Sequence, residues 1–393
     1  MPFLKPDTLA MTAVLALMTA LGPLSTDLYL PSLPSIATDF SSGIAAAQTT
    51  LSAFLFGFAL GQIFHGPLSD RLGRKPVLLF GFVLFILASL ACAFAPTMEW
   101  LIAGRFFQAV GASGPIVLGR AIARDLYEGP RAGRELSRMG TVMGLVPAIA
   151  PLIGGVIETH YGWRHSFTAM LVFGLIITVV AITGLPETMT RKITHPLSLR
   201  AIAGDYKLLL SNERYRFYIS LSSLSYGGLF AFISGSSFVL QSRYGLSAID
   251  FGQAFGLVVI GFISGTLLAT RLVTTHGIDR TIGFGTLALA IGGSVMMIAF
   301  LLAPPTPLTL ILPMMVYTMG VGLVMPQSSA GAMGPFPDKA GAASSMLGIT
   351  QMVFAALTGL LLGQMLEGGA WPLPCLIMAL GIAAFCRFRL ARF

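Results

Sequence analysis

The stretch GPLSTDLYLPSLP, residues 22–34, puts a carboxylic acid, Asp27, late in an apolar run that begins at Leu9. Another apolar run carries a base, Arg105, at the start of RFFQAVGASG, residues 105–114. A charged side chain in hydrocarbon costs about 3 kcal/mol or more and is usually functional. An aspartate can shed that cost by taking a proton, whereas a guanidinium stays charged. The chemistry open to such residues is carriage of a proton: Asp27 takes and releases it, and Arg105 stabilises the carboxylate while the proton is away. The competing reading is structural, with Asp27 paired permanently to Arg105 or capping a helix broken at Pro31. No other carboxylate falls well inside an apolar run; Asp39, Glu99, Glu158 and Asp250 fall near run ends.

The elements that must position these residues follow from composition. Of 393 residues 55% are hydrophobic and 10% charged, with mean hydropathy +0.82, against roughly 25% charged in soluble domains. Twelve apolar stretches have the length a bilayer asks for, at 9–32, 44–66, 76–96, 99–122, 136–158, 164–185, 214–240, 249–271, 280–302, 306–333, 341–364 and 371–388. Hydrocarbon admits only helices and closed barrels, so the expected fold class is an all-α membrane protein with twelve transmembrane helices. With the N-terminus cytoplasmic, 21 of the 24 Lys and Arg lie inside; Arg164 and Arg243 lie outside and Arg105 within a helix. That asymmetry is the positive-inside rule, and it predicts that both termini are cytoplasmic. The net charge of +8 is thus a topology signal. No basic soluble domain accompanies it, so nucleic acid is not an expected partner.

Removal of the first stretch as a secretory leader would leave an odd number of spans. Cys92, Cys375 and Cys386 show no CxxC spacing and read as packing residues. His65, His160, His165, His195 and His276 form no HExxH pattern, and G-x-x-x-x-G-K-[ST] is absent. A membrane enzyme or a sensor is therefore disfavoured. No metal or other cofactor is expected, and the proton gradient is the expected energy source.

A polar interval, 186–213, separates six spans from six, giving an N-terminal bundle 1–185, a linker and a C-terminal bundle 214–393. Ala132, Gly133, Ser137, Gly140, Ala148, Gly155 and Trp163 recur 208 positions later as Ala340, Gly341, Ser345, Gly348, Ala356, Gly363 and Trp371. Gly57-Phe58 and Gly61 recur at offset 204 as Gly261-Phe262 and Gly265. Small residues at fixed helical places serve close packing in lipid; matched Trp residues after matched helices favour an internal duplication.

Two six-helix halves of equal orientation resemble the major facilitator superfamily, with substrate held between them near the midplane. Between the second and third spans, GPLSDRLGRKPVLL, residues 66–79, resembles that superfamily's loop motif G-x-L-S/A-D-R-x-G-R-K at every position. The resemblance implies a conformational latch built from Gly66, Asp70, Arg71, Gly73 and Arg74. Asp70 would meet the N-terminus of the eleventh span near Gly341, and Arg71 and Arg74 would pair with Asp125 of the fourth, holding the outward-facing state. In the second half the copy has decayed to Gly265, Arg271, Gly277 and Arg280. RFFQAVGASG is similar to R-x-x-Q-G-x-G-A of proton-linked members, with Ala109 in place of a glycine. In the fifth span GLVPAIAPLIGG ends in a segment that resembles the antiporter motif G-P-x-x-G-G, with Ala150 in place of its first glycine. Pro147 and Pro151 remove helix hydrogen bonds and are expected to bend that span, beside Gly154 and Gly155.

Together with STDLYLPSLPSIATDF and GRAIARD, these motifs resemble the Bcr/CflA subfamily of drug:proton antiporters along essentially the whole chain, most strongly over 22–190. The resemblance implies export of small amphipathic antibiotics of the chloramphenicol, florfenicol and bicyclomycin type by alternating access, from a monomer in a bacterial inner membrane. Small-molecule drugs, protons and the lipid bilayer are then the expected partners. Helical spacing sets Leu24 and Leu30 on the face of Asp27. Phe54, Gln108, Tyr226, Phe230, Phe238, Gln327, Gln351 and Phe354 are the further candidates for an amphipathic pocket. A proton-linked exporter of a metabolite, such as an amino acid, small peptide or sugar, is the chief rival. Proton-driven uptake is disfavoured by the fifth-span proline and glycine residues.

Overall fold

Each apolar run expected to cross the bilayer is helical in the computed structural model, which describes residues 8–189, 199–336 and 339–391. The middle of the linker, 190–198, and the bases Lys5, Arg191, Lys192 and Arg392 lie outside the described residues. In chain order the α-helices are α1 (Leu9–Asp27), α2 (Leu33–Asp39), α3 (Ile44–Leu72), α4 (Arg74–Ala93), α5 (Met98–Leu126), α6 (Gly129–Tyr161), α7 (Arg164–Gly184), α8 (Leu199–Ser211), α9 (Glu213–Ser237), α10 (Ala248–Leu302), α11 (Leu308–Met333), α12 (Ala340–Leu366) and α13 (Pro372–Arg389). Side-chain caps fix several starts: Thr8 accepts from the Met11 amide, Thr97 from Trp100 and Asn212 from Tyr215, while Ser247 and Asp250 form a reciprocal capping box.

Three features depart from twelve simple spans. The first run breaks: α1 ends at Asp27, a 3₁₀ turn covers Leu30–Ser32, and α2 completes the crossing. Pro31 explains the break, since it has no N–H to give the Asp27 carbonyl and its ring collides with that group in a continuous helix. The seventh run finishes as a π-helical turn, Phe238–Arg243. The eighth and ninth runs appear as one element, α10, divided at Gly277, where φ is 77° and ψ 177°. Gly73, between α3 and α4, has φ 113° and ψ 154°. The two glycines lie 204 positions apart in sequence, and a β-carbon is poorly tolerated at either φ. The duplication is therefore visible in backbone conformation as well as in residue identity.

In the first half α5 packs on α1, α3 and α4, with α7 against α4 and α6 against α1; in the second, α11 and α13 pack on α9 and α10, and α12 on α9. The halves meet along two seams, α3 with α12 and α6 with α10. Twelve passes return the chain to the side where it started. The termini share that terminal side with the turns at Gly73 and Gly277, and the opposite one is the far side. On the terminal side α8 leans on α12 through Asp205 to Lys339 at 2.5 Å and Tyr206 to Ser345 at 3.2 Å.

At the α6–α10 seam backbones touch. A methyl group on Gly155 would strike the Ala248 carbonyl, and one on Gly252 would lie 2.7 Å from the Leu152 Cα. Overpacking of this kind costs about 1–3 kcal/mol. Gly155→Leu should therefore lower the thermal midpoint of the detergent-solubilised protein by several degrees. Gly144→Leu, on the same helix with no atom within 4 Å of the added carbon, should leave it unchanged.

Candidate functional site

The cleft between the halves is shut at the far side. Four side chains cross it to backbone carbonyls: Gln48 Nε2 to Ser234 at 3.0 Å, Ser52 Oγ to Ala356 at 3.0 Å, Ser237 Oγ to Leu30 at 2.7 Å and Gln241 Nε2 to Pro31 at 2.9 Å. A methyl group on Gly154 would collide with the carbonyl of Leu28, so that glycine lets α6 close against the α1 break. Towards the terminal side the contacts run out. A carbon added to Gly133, Gly140 or Gly144 of α6, or to Gly341 of α12, would meet nothing within 4 Å. Along the α3–α12 seam, a carbon added to Gly348 would still meet Gln62. The cleft therefore opens at the terminal side.

Asp27 is the final residue of α1, just beneath the shut end. It is 4% exposed and forms no ion pair among the described residues. Tyr226 of α9, in the opposite half, lies within its electrostatic reach. The permanent Asp27–Arg105 pair of the structural reading is not made. The helix does end at Asp27, as the broken-helix alternative expects. Glu135 offers a contrast that the spacing did not reveal: it too is buried, but Thr12 donates to it at 2.6 Å and Arg138 at 2.9 Å. Both Glu135 and Asp27 are thus acids out of water, and only Glu135 has a cation beside it.

Arg105, 0% exposed, is compensated by rings. Its guanidinium carbon lies 4.2 Å from the Tyr29 ring centroid, 4.3 Å from that of Phe54 and 5.7 Å from that of Phe167. Each face of an aromatic ring presents negative potential to the cation. Nη1 donates to Gln108 Oε1, and Gln108 passes on through Nε2 to Ser89 Oγ at 2.8 Å. Nε and Nη2 have no hydrogen-bond partner among the described residues. The Tyr29 hydroxyl is held by Thr50 at 3.0 Å. One residue, Leu28, separates Tyr29 from Asp27, so ring box and acid belong to one local structure.

The loop motif forms a tight junction within the first half. Arg74 bonds Asp70 Oδ1 at 2.5 Å, Ser69 Oγ at 2.7 Å and Asp125 Oδ2 at 3.0 Å. Glu187 accepts from the amides of Arg74 and Lys75 at 2.9 and 3.1 Å, a carboxylate on the N-terminus of α4. Lys75 in return caps the C-terminus of α7 through the carbonyls of Ile182 and Leu185, both at 2.7 Å. The expected Arg74–Asp125 pair is present, whereas Arg71 is exposed and makes no such bond among the described residues. Asp70 is turned to Arg74, and the N-terminus of α12 has no side-chain cap. The contact implied for the outward-facing state is absent with the terminal side open. Gly66 has Val117 at 3.8 Å as its nearest neighbour, so no tight helix contact forms there. Glu187 and Lys75 escaped the sequence reading because both act on backbone groups of distant helix ends.

The pocket candidates divide into groups. Tyr226 and Phe230 lie tilted with ring centroids 6.5 Å apart, Phe354 packs where α9 has Gly227, and Gln351 donates to Ser222. These form one wall in the second half, and Gln327 is buried on α11. Leu24 is partly buried near Asp27, while Leu30 is fully buried in the 3₁₀ turn. Phe54 and Gln108 are taken up by Arg105 within the first half. Phe238 opens the π-helical turn at the shut end, where with Pro34, Thr38, Ser42 and Ile44 it lines an outer cavity of about 440 Å³. It belongs to the far-side closure, because the break in α1 carries Pro34 and its neighbours up to it. Pro147 and Pro151 leave α6 assigned as one uninterrupted helix.

The ring box makes a specific demand. Lysine keeps the charge of Arg105 but cannot spread it as a plane between two rings. Arg105→Lys should lower stability by about 1–2 kcal/mol, read as a fall in the thermal midpoint. Gln108→Leu, which strips the guanidinium of its hydrogen-bond acceptor, should do the same.

Comparison with known proteins agrees with this architecture. The family model described as Major Facilitator Superfamily matches residues 15–360. A bicyclomycin resistance protein homolog of Haemophilus influenzae is 30% identical over 94% of this chain and 92% of its own. Multidrug resistance protein D of Escherichia coli is 28% identical over 94% of this chain and 92% of its own. A partially occluded inward-open structure of the xylose transporter XylE from E. coli superposes with a TM-score of 0.75 over 96% of both chains, at 17% identity. Helix order, paired halves and motif-bearing loop have one common explanation: the chain is a multi-pass membrane transporter and belongs to the major facilitator superfamily, Bcr/CflA-type resistance proteins among its relatives.

Proposed function

We propose that this transporter is a proton-coupled antiporter that exports small amphipathic drugs of the chloramphenicol, florfenicol and bicyclomycin type from a bacterial cytoplasm. The observation that carries the reading is Asp27: a buried carboxyl with no ion-pair partner among the described residues, at a helix break between the two halves. The resistance names of its relatives support drugs as the cargo. The excess of Lys and Arg on the terminal side supports a cytoplasmic assignment for that side, and the open cleft is then inward-facing.

The cycle has two exchanges. Drug entering the inward-open cleft displaces the proton of Asp27 towards the cytoplasm. The terminal side then closes, with Asp70 released from Arg74 to meet the start of α12, while the four far-side bonds part. Facing outward, Asp27 takes a proton from the periplasm and drug leaves. Arg105, with two unfilled donors, steadies the carboxylate between these events. One charge crossing about 100 mV releases about 2.3 kcal/mol, and one pH unit adds about 1.4 kcal/mol. A one-for-one exchange can therefore sustain a several-hundredfold gradient of a neutral drug, at about 1.4 kcal/mol per tenfold.

Inside-out vesicles with an acid lumen test this directly. Chloramphenicol, florfenicol or bicyclomycin should discharge the pH gradient with wild-type protein and fail to do so with Asp27→Asn at equal abundance. An equal response from the mutant assigns Asp27 a structural role and sinks the coupling.

A further inference from the structure

The charged residues of the cleft are few, and their balance is unexpected for a carrier of drugs. In the second half, residues 217–240 of the seventh pass, 251–270 of α10, all of α11 and 341–366 of α12 contain no Asp, Glu, Lys or Arg. In the first half, α1 contributes Asp27, α3 nothing before Asp70, and α6 nothing from 139 to 157. Between residues 100 and 122 α5 contributes two bases, Arg105 and Arg120. Over these ranges the sum is positive whether Asp27 is ionised or protonated, Arg105 lying within the span and Arg120 at its terminal-side end.

Arg120 is the member of this set that meets water. It is exposed, and its Nη2 reaches the Met143 sulfur of α6 at 3.9 Å. Met143 lies between Gly140 and Gly144, which look onto open space at the mouth of the cleft. No carboxylate pairs with Arg120 among the described residues, whereas Arg138 and Arg164 each have one and Arg74 has two. One turn further out, Arg124 donates through Nε to the Arg120 carbonyl at 3.4 Å, adding a second base on the same helix. A cleft with low-dielectric walls focuses the field of such charges on whatever enters. A guanidinium also offers a planar fork that fits a carboxylate.

We propose that Arg120 is a charge filter at the mouth of the cleft: it repels lipophilic cations and admits neutral amphipaths and amphipathic organic anions. The inference rests on the export reading above and narrows its substrate class. It also agrees with the energetics. Exchange of one entering proton for one leaving anion moves two charges in the direction the membrane potential favours, whereas exchange for a monovalent cation moves none.

The test compares tetraphenylphosphonium, chloramphenicol and nalidixate as labelled probes in inside-out vesicles. With wild type, tetraphenylphosphonium should accumulate at least about tenfold less than chloramphenicol, and nalidixate should be carried. Arg120→Glu should raise the tetraphenylphosphonium to nalidixate ratio by about a hundredfold, one tenfold step for each probe. Arg120→Gln should fall between, and Arg120→Lys should restore the wild-type order. Salt should weaken the discrimination. Wild-type accumulation of tetraphenylphosphonium on a par with chloramphenicol overturns the proposal, as does a ratio unchanged in Arg120→Glu and Arg120→Gln. Binding of the same three probes to purified protein reads the ratio without any proton movement. Failure of drug to move protons, with the ratio intact, therefore counts against the coupling through Asp27 and leaves the filter standing.

Discussion

A charge taken out of water must be compensated by something, and the interior of this transporter is organised by how each charge meets that demand. Glu135 meets it with a hydroxyl and an arginine. Arg74 meets it with two carboxylates, and in doing so ties α3 to α5. Arg105 meets it with aromatic faces, drawing together α5, the break after α1, α3 and α7. Asp27 alone of these has no ion partner and no aromatic box among the described residues, and it stands where the first helix stops. The groups that have ion partners or aromatic faces hold the first half together. Asp27, which has neither among the described residues, sits on the surface the two halves share.

That arrangement separates stiffness from motion. Within the first half, the loop at Gly73 is bound to α5 and α7 by side chains that cap helix ends in both directions. Between the halves, the most extensive contacts are the two seams, joined at the far side by the bonds to the break after α1, and towards the terminal side the α6 seam ends at glycines with nothing within 4 Å of an added carbon. A half that is internally tied and externally loose can move as a body, and rocking of one repeat against the other is the motion such duplicated transporters use.

Much of this was legible in the chain itself. Twenty apolar residues have few alternatives to a membrane helix, so the spans were readable to within a few residues; the exceptions are the first run, broken by Pro31, and the eighth and ninth, joined through Gly277. Arg74 with Asp125 was readable because the motif carries its own partner. What escaped was anything set by the approach of distant helices. The rings around Arg105 come from residues 29, 54 and 167, and no spacing rule links them. Glu187 and Lys75 act on main-chain groups, which a sequence does not distinguish from one another. Phe238 reads as one more aromatic in an apolar run, and only the turn it begins reveals that it serves the closed end.

The four bonds that shut the far side share one property: every acceptor is a backbone carbonyl, at Leu30, Pro31, Ser234 and Ala356, and the donors come two from each half. A carbonyl is present whatever side chain its residue bears. Point substitutions at those four acceptor positions cannot delete their half of the lock, so mutational drift can reach the closure only through its donors. The gate also contains no ionisable group in these bonds, and its strength is indifferent to the acidity and salt of the compartment it faces. A drug binding surface can thus diversify around a closure that evolution finds hard to break.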